Sequence, residues 1–320
     1  MNDQTTVLIT GSTGFVGAAL VKQLASLMTC QVRALVRSKG VVFAESVTPV
    51  YVGSDYLTSG NVPLTGVDVL IHCAARVHVM SDASSDPLSE YRKINVDGTL
   101  NLAKQAAQSG VKRFIFISSI KVNGEETQVG TPFTAEDIPA PSDPYGVSKM
   151  EAEQQLMSLG KEIGMEIVVI RPVLVYGPGV KANFRSMMNW LNKGWPLPLG
   201  AIRNQRSFVA LENLIDLIIT CIEHPGAANQ VFLASDGYDM STTQLLKQLG
   251  EALGRPARLI PVPVSILVRA ASLLGRRSAA QRLCGSLQVD IQKSRDLLGW
   301  SPPSTVENAL RKTASNFQSS

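Results

Sequence analysis

The sequence predicts an α/β fold, a doubly wound parallel sheet with a smaller C-terminal lobe. Three observations carry this expectation. Short, continuous Val/Ile/Leu runs alternate with helix-period segments through the first half of the chain, as parallel strands covered on both faces require. A glycine-spaced turn joins the first of these runs to the first helix. After Arg171 the alternation gives way to clustered Pro and Gly at Pro172, Gly177, Pro178, Gly179, Gly194, Pro196, Pro198 and Gly200. Such clusters mark loops and short elements of a different texture. A chain of 320 residues, 45% hydrophobic, can bury one large core or two modest ones.

In chain order, strands are expected at 6–10, 31–36, 49–52, 68–72, 113–118 and 166–171. Val16, Leu20, Leu24 and Leu27 form an apolar stripe at helical spacing after the first strand. A helix is expected over 87–109, because Pro87 suits a first helical turn. Another covers 143–160, with Gly164 as a later stop. Helices at 211–222 and 245–253, the latter ended by Gly254, flank a strand at 231–234 that returns to the main sheet. A buried or half-buried helix starts near Pro263, and the Ser/Gln-rich tail 315–320 is expected to fray. Strand–helix alternation implies right-handed βαβ units. The expected organisation is a cofactor-binding domain over 1–175, with 205–235 returning to it. A substrate-binding lobe would span 176–204 and 236–314.

The charge balance narrows the partners. With 30 basic and 26 acidic residues, net +4, and no dense basic block, nucleic acid is not expected as a partner. An anionic small ligand suits this balance. Cys30, Cys73, Cys221 and Cys284 are scattered without metal or redox spacing, so they read as reduced thiols. No His/Asp/Glu cluster points to a metal. Met1 runs almost directly into the first strand without a signal-like segment, which predicts a cytoplasmic location. The apolar stretch 259–275 is broken by Pro261, Pro263 and Arg269 and is too short to span a bilayer. Arg276, Arg277 and Arg282 follow it, which leaves weak attachment to a membrane surface open.

Gly11-Ser12-Thr13-Gly14-Phe15-Val16-Gly17 lies between strand and helix. The tight turn, the close approach of backbone to a pyrophosphate and the packing of helix on strand each need a residue without Cβ. Helix N-terminal amides then hold the anion. This context predicts a dinucleotide site in a Rossmann-type sheet. The second strand ends Leu35-Val36-Arg37-Ser38, with Arg33 nearby, where an acidic residue would bond the adenosine ribose. Arg37 suits a 2′-phosphate, so NADP(H) is favoured, with NAD(H) possible. Asp55 is placed to accept from the adenine amino group, with Tyr56 and Leu57 beside it. Tyr145 and Lys149, four residues apart, fall on one helix face, and Ser118-Ser119 closes an apolar run upstream. Together with the glycine loop they predict a nicotinamide-dependent enzyme that moves a hydride at a carbon bearing oxygen.

These residues resemble the extended short-chain dehydrogenase/reductase family, in its nucleotide-sugar epimerase, dehydratase and reductase branch. The markers are Gly11-x-x-Gly14-x-x-Gly17, Ile71-His72-Cys73-Ala74-Ala75, Asn95-Val96-x-Gly98-Thr99, Ser118-Ser119, Tyr145-x-x-x-Lys149, Arg171-Pro172 with Val175-Tyr176-Gly177-Pro178, and Arg206-x-Phe208-Val209. The resemblance implies that Ala74 and Ala75 run beside the cofactor, that Asn95 supports the site, and that Pro172 borders the cofactor. It implies that Arg206 and Asn183 hold the pyrophosphate of a UDP-sugar, that the Pro196–Leu199 loop with Leu199 cradles the uracil, and that Arg282 or Arg277 supplies a second phosphate arginine. A homodimer is also implied. Three positions depart from the family: Asn123 where a tyrosine is common, Lys121 in the same loop, and Leu174 in place of an asparagine. The first two are expected to change the surroundings of the sugar, and the third to change diphosphate binding.

A phenol titrates near pH ~10. The Lys149 ammonium is expected to bring Tyr145 toward a useful range. Lys149 also holds the nicotinamide ribose, and Ser119 bonds the reacting oxygen. His72 is expected to be structural, and His78 begins a loop within reach of the sugar. Ser118-Ser119-Ile120-Lys121 offers no Asp-Glu acid and base, which disfavours dehydration. Two reactions at C4 of a UDP-sugar remain. The preferred one is NADPH-dependent reduction of a UDP-4-keto-6-deoxy-N-acetylhexosamine for surface polysaccharide, favoured by Arg37 and by the resemblance of the loop Ser118-Ser119-Ile120-Lys121-Val122-Asn123-Gly124 to the branch of such reductases. The other is 4-epimerisation with a tightly held NAD⁺. A non-catalytic dinucleotide sensor is a third reading, opposed by the intact Ser119, Tyr145 and Lys149.

Overall fold

The computed structural model describes residues 4–58, 60–77, 86–275 and 277–319. The main sheet is built from β1 (Thr6–Thr10), β2 (Gln31–Val36), β3 (Val47–Tyr51), β4 (Val69–His72), β5 (Arg113–Ile117), β6 (Glu166–Pro172) and β9 (Gln230–Ala234). All pair in parallel, in the order β3-β2-β1-β4-β5-β6-β9. The central strands β1 and β5 are buried along their whole length. That explains their unbroken apolar sequences, since both faces are covered by helices.

One face packs on α1 (Phe15–Leu27) and α6 (Leu211–Glu223) through Leu20, Leu24, Leu214, Leu217 and Ile218. The other packs on α3 (Gly98–Gln108) and α4 (Pro144–Ile163) through Leu102, Ala106, Ala152 and Leu156. Strand order reverses direction between β1 and β4. In such sheets ligands bind outside the carboxyl ends of the strands at this switch point.

A three-stranded sheet joins β7 (Leu174–Tyr176), β8 (Arg206–Ala210) and β10 (Asp239–Met240). Below it, α5 (Ala182–Asn192), α7 (Thr242–Ala252) and α11 (Val306–Gln318) share a second core of Tyr176, Phe184, Met188, Leu246, Leu249 and Leu310. The remaining helices are α8 (Val264–Leu273), α9 (Arg277–Cys284) and α10 (Gln292–Leu298).

Three expectations need correction. The helix expected over 87–109 is three pieces: α2 (Pro87–Arg92), a π-helical turn at Lys93–Asp97, and α3. The wide turn surrounds Asn95, whose side chain is committed to groups outside the helix. The region after Arg171 is more regular than its Pro and Gly content implies, because α5 forms on the buried stripe Phe184, Met187, Met188 and Leu191. The tail does not fray over its described residues, 315–319. Gly179 N donates to Asn316 Oδ1 (2.8 Å), Phe317 packs against the second core, and Gln318 Nε2 donates to Leu253 O (3.0 Å). The helix expected near Pro263 is present as α8 and is half-buried: it has no buried residue, and one of its faces is half covered.

Deleting residues 315–320 should lower stability by about 2 kcal/mol, from two lost hydrogen bonds and one partly buried ring. Calorimetry should show Tm several degrees lower. An unchanged Tm would mean that the last turn of α11 adds nothing.

Candidate active site

Most of the predicted cofactor-binding residues, and Ser119, lie at or just beyond the carboxyl end of a strand. The glycine loop follows β1, Arg37 follows β2, Asp55–Leu57 follow β3, Ala74 and Ala75 follow β4, Ser119 follows β5, and Pro172 ends β6. The topology alone therefore gathers segments far apart in sequence.

The glycine loop is a cradle that Cβ atoms would fill. Gly11 has φ +66°, and a Cβ there would stand 2.8 Å from Ala74 N. One at Gly17 would overlap the Gly11 carbonyl oxygen. Gly14 caps α1 with no side-chain bond to the helix amides, and the first turn carries no acidic residue. The amides of Phe15, Val16 and Gly17 thus meet no capping side chain, which fits a dinucleotide pyrophosphate. Ser12 plays a different part, since its buried hydroxyl donates to Leu35 O (2.6 Å) and ties the loop to β2. Thr13 is exposed beside it.

Arg37 is exposed at the end of β2, close enough to Tyr56 to favour its phenolate, while burial pushes that phenol up to about 12. Arg33 does not join it: Nη1 donates to Thr65 O (2.8 Å), away from the strand end. Asp55 is exposed, whereas Leu57 is buried against Gly98.

Below the β1/β4 edge, Thr10 organises the floor. Its hydroxyl meets His72 Nδ1 (2.6 Å), accepts from Ala74 N (3.3 Å) and bonds the Tyr56 side chain. His72 Nε2 meets Thr99 Oγ1 (3.1 Å), and its ring stacks on Phe116. Burial, with Lys149 adding, pushes His72 down to about 3, so the imidazole stays neutral and structural. His78 lies outside the described residues.

Helix α4 starts on Asp143, whose carboxylate accepts from Gly146 N (2.6 Å), with Pro144 in the first turn. This places Tyr145, Lys149 and Glu153 on one stripe at i, i+4 and i+8. Lys149 is buried. Its ammonium donates to Ile117 O (2.8 Å) at the end of β5 and lies 4.2 Å from the Phe116 ring centroid. Burial lowers its pKa to about 8, against the raising influence of Glu153 and Cys73. Tyr145 bonds the Ser119 side chain and meets the Tyr91 ring edge-on at 6.0 Å. Its pKa is raised, first by burial and then by Asp143 and Tyr91, and the Ser119 bond opposes this only in part. The lowering expected from Lys149 is not found, and desolvation sets the direction. Asn95 Nδ2 donates to Ser148 Oγ (3.0 Å), which donates to Tyr145 O (2.8 Å). Asn95 also bonds Arg76 N and Arg76 O, locking the loop after β4 to the first turn of α4.

A buried ionic network backs this site. Arg171 Nη2 and Glu153 Oε2 are 2.6 Å apart, with both side chains 5% exposed. Ser118 Oγ donates to the same carboxylate, and Arg171 Nη1 donates to Asn123 Oδ1 (2.9 Å). Asn123 Nδ2 in turn donates to Thr134 O (2.9 Å). Asn123 is therefore buried and does not line a sugar pocket, contrary to expectation. Lys121 pairs with Asp143 and with Glu125 (3.2 Å), bracing the start of α4. Glu153 and Arg171 received no role from the sequence, although the i+4 step from Lys149 to Glu153 was readable.

In the second sheet, Arg206 is half-buried and Nη1 donates to Gly285 O (3.0 Å). Burial lowers its pKa, and Glu126 nearby opposes this. Asn183 is exposed on the first turn of α5, and Leu199 O accepts from Thr243 Oγ1 (2.6 Å). Leu174 is 45% exposed at the start of β7. Arg282 is exposed on the last turn of α9, three residues before Gly285, and Arg277 is exposed at the start of that helix.

Replacing Arg171 with Met should cost about 3–5 kcal/mol, because it leaves the Glu153 carboxylate buried without its cation. The double replacement Arg171→Met/Glu153→Met should recover much of that loss. Urea unfolding measures both, and equal losses would show that the pair is not coupled.

Residues 7–234 match the NAD dependent epimerase/dehydratase family. Over 317 residues the chain is 51% identical to a UDP-glucose 4-epimerase of Vibrio cholerae, covering 97% of this chain and 95% of that protein. It is similar in structure to a UDP-glucose 4-epimerase of Thermotoga maritima solved with UDP-glucose, with TM-score 0.75, 23% identity, and 98% and 99% of the two chains covered. It is also similar to RMD of Pseudomonas aeruginosa complexed with NADPH, with TM-score 0.73, 23% identity, and 98% and 100% covered. The last two likenesses speak to the fold. With the matched span running from β1 through β9, and a relative at 51% identity over nearly the whole length, the chain belongs to the NAD dependent epimerase/dehydratase family, whose enzymes use a nicotinamide dinucleotide.

Proposed function

We propose that the protein is a UDP-sugar 4-epimerase. The observation that carries this reading is the Ser119–Tyr145–Lys149 arrangement at the carboxyl end of β5, in a chain 51% identical to a UDP-glucose 4-epimerase. The reductase favoured from Arg37 and the serine-pair loop becomes the second reading, and Arg37 is the observation that keeps it.

In either reaction the nicotinamide supplies or takes the hydride at C4. Tyr145 holds the proton that moves on or off O4, and Ser119 fixes that oxygen. Lys149, held by Ile117 O, places a donor against the nicotinamide ribose. Gly11, Gly14 and Gly17 with the first amides of α1 hold the diphosphate, and Ala74, Ala75 and Pro172 border it. Asn95 acts through Ser148 by positioning Tyr145. Arg206 and Asn183 hold the UDP diphosphate, Leu199 borders the uracil, and Arg282 is the candidate second arginine. Arg37 faces the adenosine ribose and favours NADP(H). A homodimer belongs to the same reading.

Purified protein with catalytic NAD⁺ or NADP⁺ should interconvert UDP-glucose or UDP-N-acetylglucosamine with the C4 epimer. Tyr145→Phe should lower kcat by about a hundredfold or more, with KM little changed. Stoichiometric oxidation of NADPH by a UDP-4-keto-6-deoxy-N-acetylhexosamine, without epimerisation, would instead establish the reductase.

Arg37→Asp should shift the ratio of NADPH to NADH dissociation constants by about tenfold or more toward NADH. Reduced-cofactor fluorescence reads this directly. An unchanged ratio would remove Arg37 from the 2′-phosphate site.

A further inference from the structure

From Ala252 to Val289 the chain carries Arg255, Arg258, Arg269, Arg276, Arg277 and Arg282, and no Lys, Asp or Glu. This one segment is +6 in a chain of net +4, so the remainder is −2. All five of these arginines among the described residues are exposed.

Helix α8 sits within this basic segment. Val264, Leu267, Val268 and Ala271 form its half-buried face. Ile266, Ala270, Leu273 and Leu274 lie on another side at helical spacing. Ile266 is 54% exposed, Leu273 89% and Leu274 75%, and Ile260, just upstream, is 49% exposed. Ser265, Arg269 and Ser272 form a polar stripe beside this apolar face. Large exposed apolar residues rimmed by cations mark an interaction surface.

We propose that the outer face of α8, with its surrounding arginines, docks the protein on an anionic phospholipid bilayer. Leu273, Leu274 and Ile266 enter the boundary between headgroups and acyl chains, while Arg269 and Arg277 meet lipid phosphates. No helix among the described residues is long and apolar enough to cross a membrane, so the attachment is interfacial. A second copy fits less well, because a twofold contact would set this basic segment against itself. Nucleic acid fits the arginines but leaves the leucines in water. Of the three, a lipid surface uses both. The chain enters α8 shortly after Leu259, which pairs with Leu197 in the Pro196–Leu199 loop, so docking would bring the small lobe to the membrane.

The test is co-sedimentation of the full-length protein with vesicles of phosphatidylcholine alone, or mixed with phosphatidylglycerol, at low and high salt. Binding is expected to the mixed vesicles, weakened by salt. Leu273→Ser/Leu274→Ser should reduce partitioning about tenfold or more, with circular dichroism and Tm unchanged. Ile266→Ser, on the same face, should act in the same direction and serves should the double variant misfold. Absence of wild-type binding to mixed vesicles overturns the proposal, as does equal binding by the folded variants. A dimer in ultracentrifugation that the double variant abolishes, without lipid binding, would assign the face to a second copy. Binding to single-stranded RNA without lipid binding would assign it to nucleic acid.

Discussion

The Glu153–Arg171 pair is the interaction on which the site depends. Arg171 belongs to β6 and Glu153 to α4, and Ser118 and Asn123 bring the end of β5 and the loop after it into the same network. Three segments that must hold Ser119, Tyr145 and Lys149 in register are thus tied at one buried point. Two charges taken out of water are costly unless each is fully bonded. Here Arg171 meets both oxygens of Glu153 and the Asn123 amide, and Glu153 also accepts from Ser118. The network specifies one arrangement of these segments, because any shift would leave a buried charge unpaired.

The glycine loop is a constraint of another kind, steric and local. Gly17 must lack Cβ so that α1 can close onto the Gly11 carbonyl, and Gly11 must lack one so that the loop can lie against Ala74. Close packing brings β1, α1 and the segment after β4 together before any ligand is considered. The same packing leaves the first amides of α1 without a side-chain cap. The anion site is a consequence of how strand and helix must meet.

Much of this was legible in the sequence. Parallel strands buried on both faces produce unbroken apolar runs, so β1, β2, β5 and β6 announced themselves within a residue or two. Helix α5 was obscured because Lys181, Asn183 and the nearby glycines mask a stripe of only four buried residues. The tail looked frayed because serine and glutamine content describes composition, whereas Asn316 and Gln318 are fixed by partners distant in sequence. The π-helical turn could not be read, since it answers to Arg76 and Ser148, which only the fold brings to Asn95. Asn123 was misplaced for the same reason, because its partner Arg171 lies 48 residues away.

The two titrating groups on α4 are pushed in opposite directions from their ordinary values, the Tyr145 phenol up and the Lys149 ammonium down to about 8. Both shifts start from burial, which favours whichever form is neutral. In the protein frame Tyr145 is therefore held as the acid. The opposing influence on Lys149 comes first from Glu153, one turn further along the same helix face. That carboxylate is also bonded by Arg171 and Ser118. Through Glu153, the pair that fixes the geometry of the site thereby also helps Lys149 keep its proton, against the larger effect of burial. Structural and catalytic demands meet at Glu153, a residue that touches neither substrate nor cofactor in this reading.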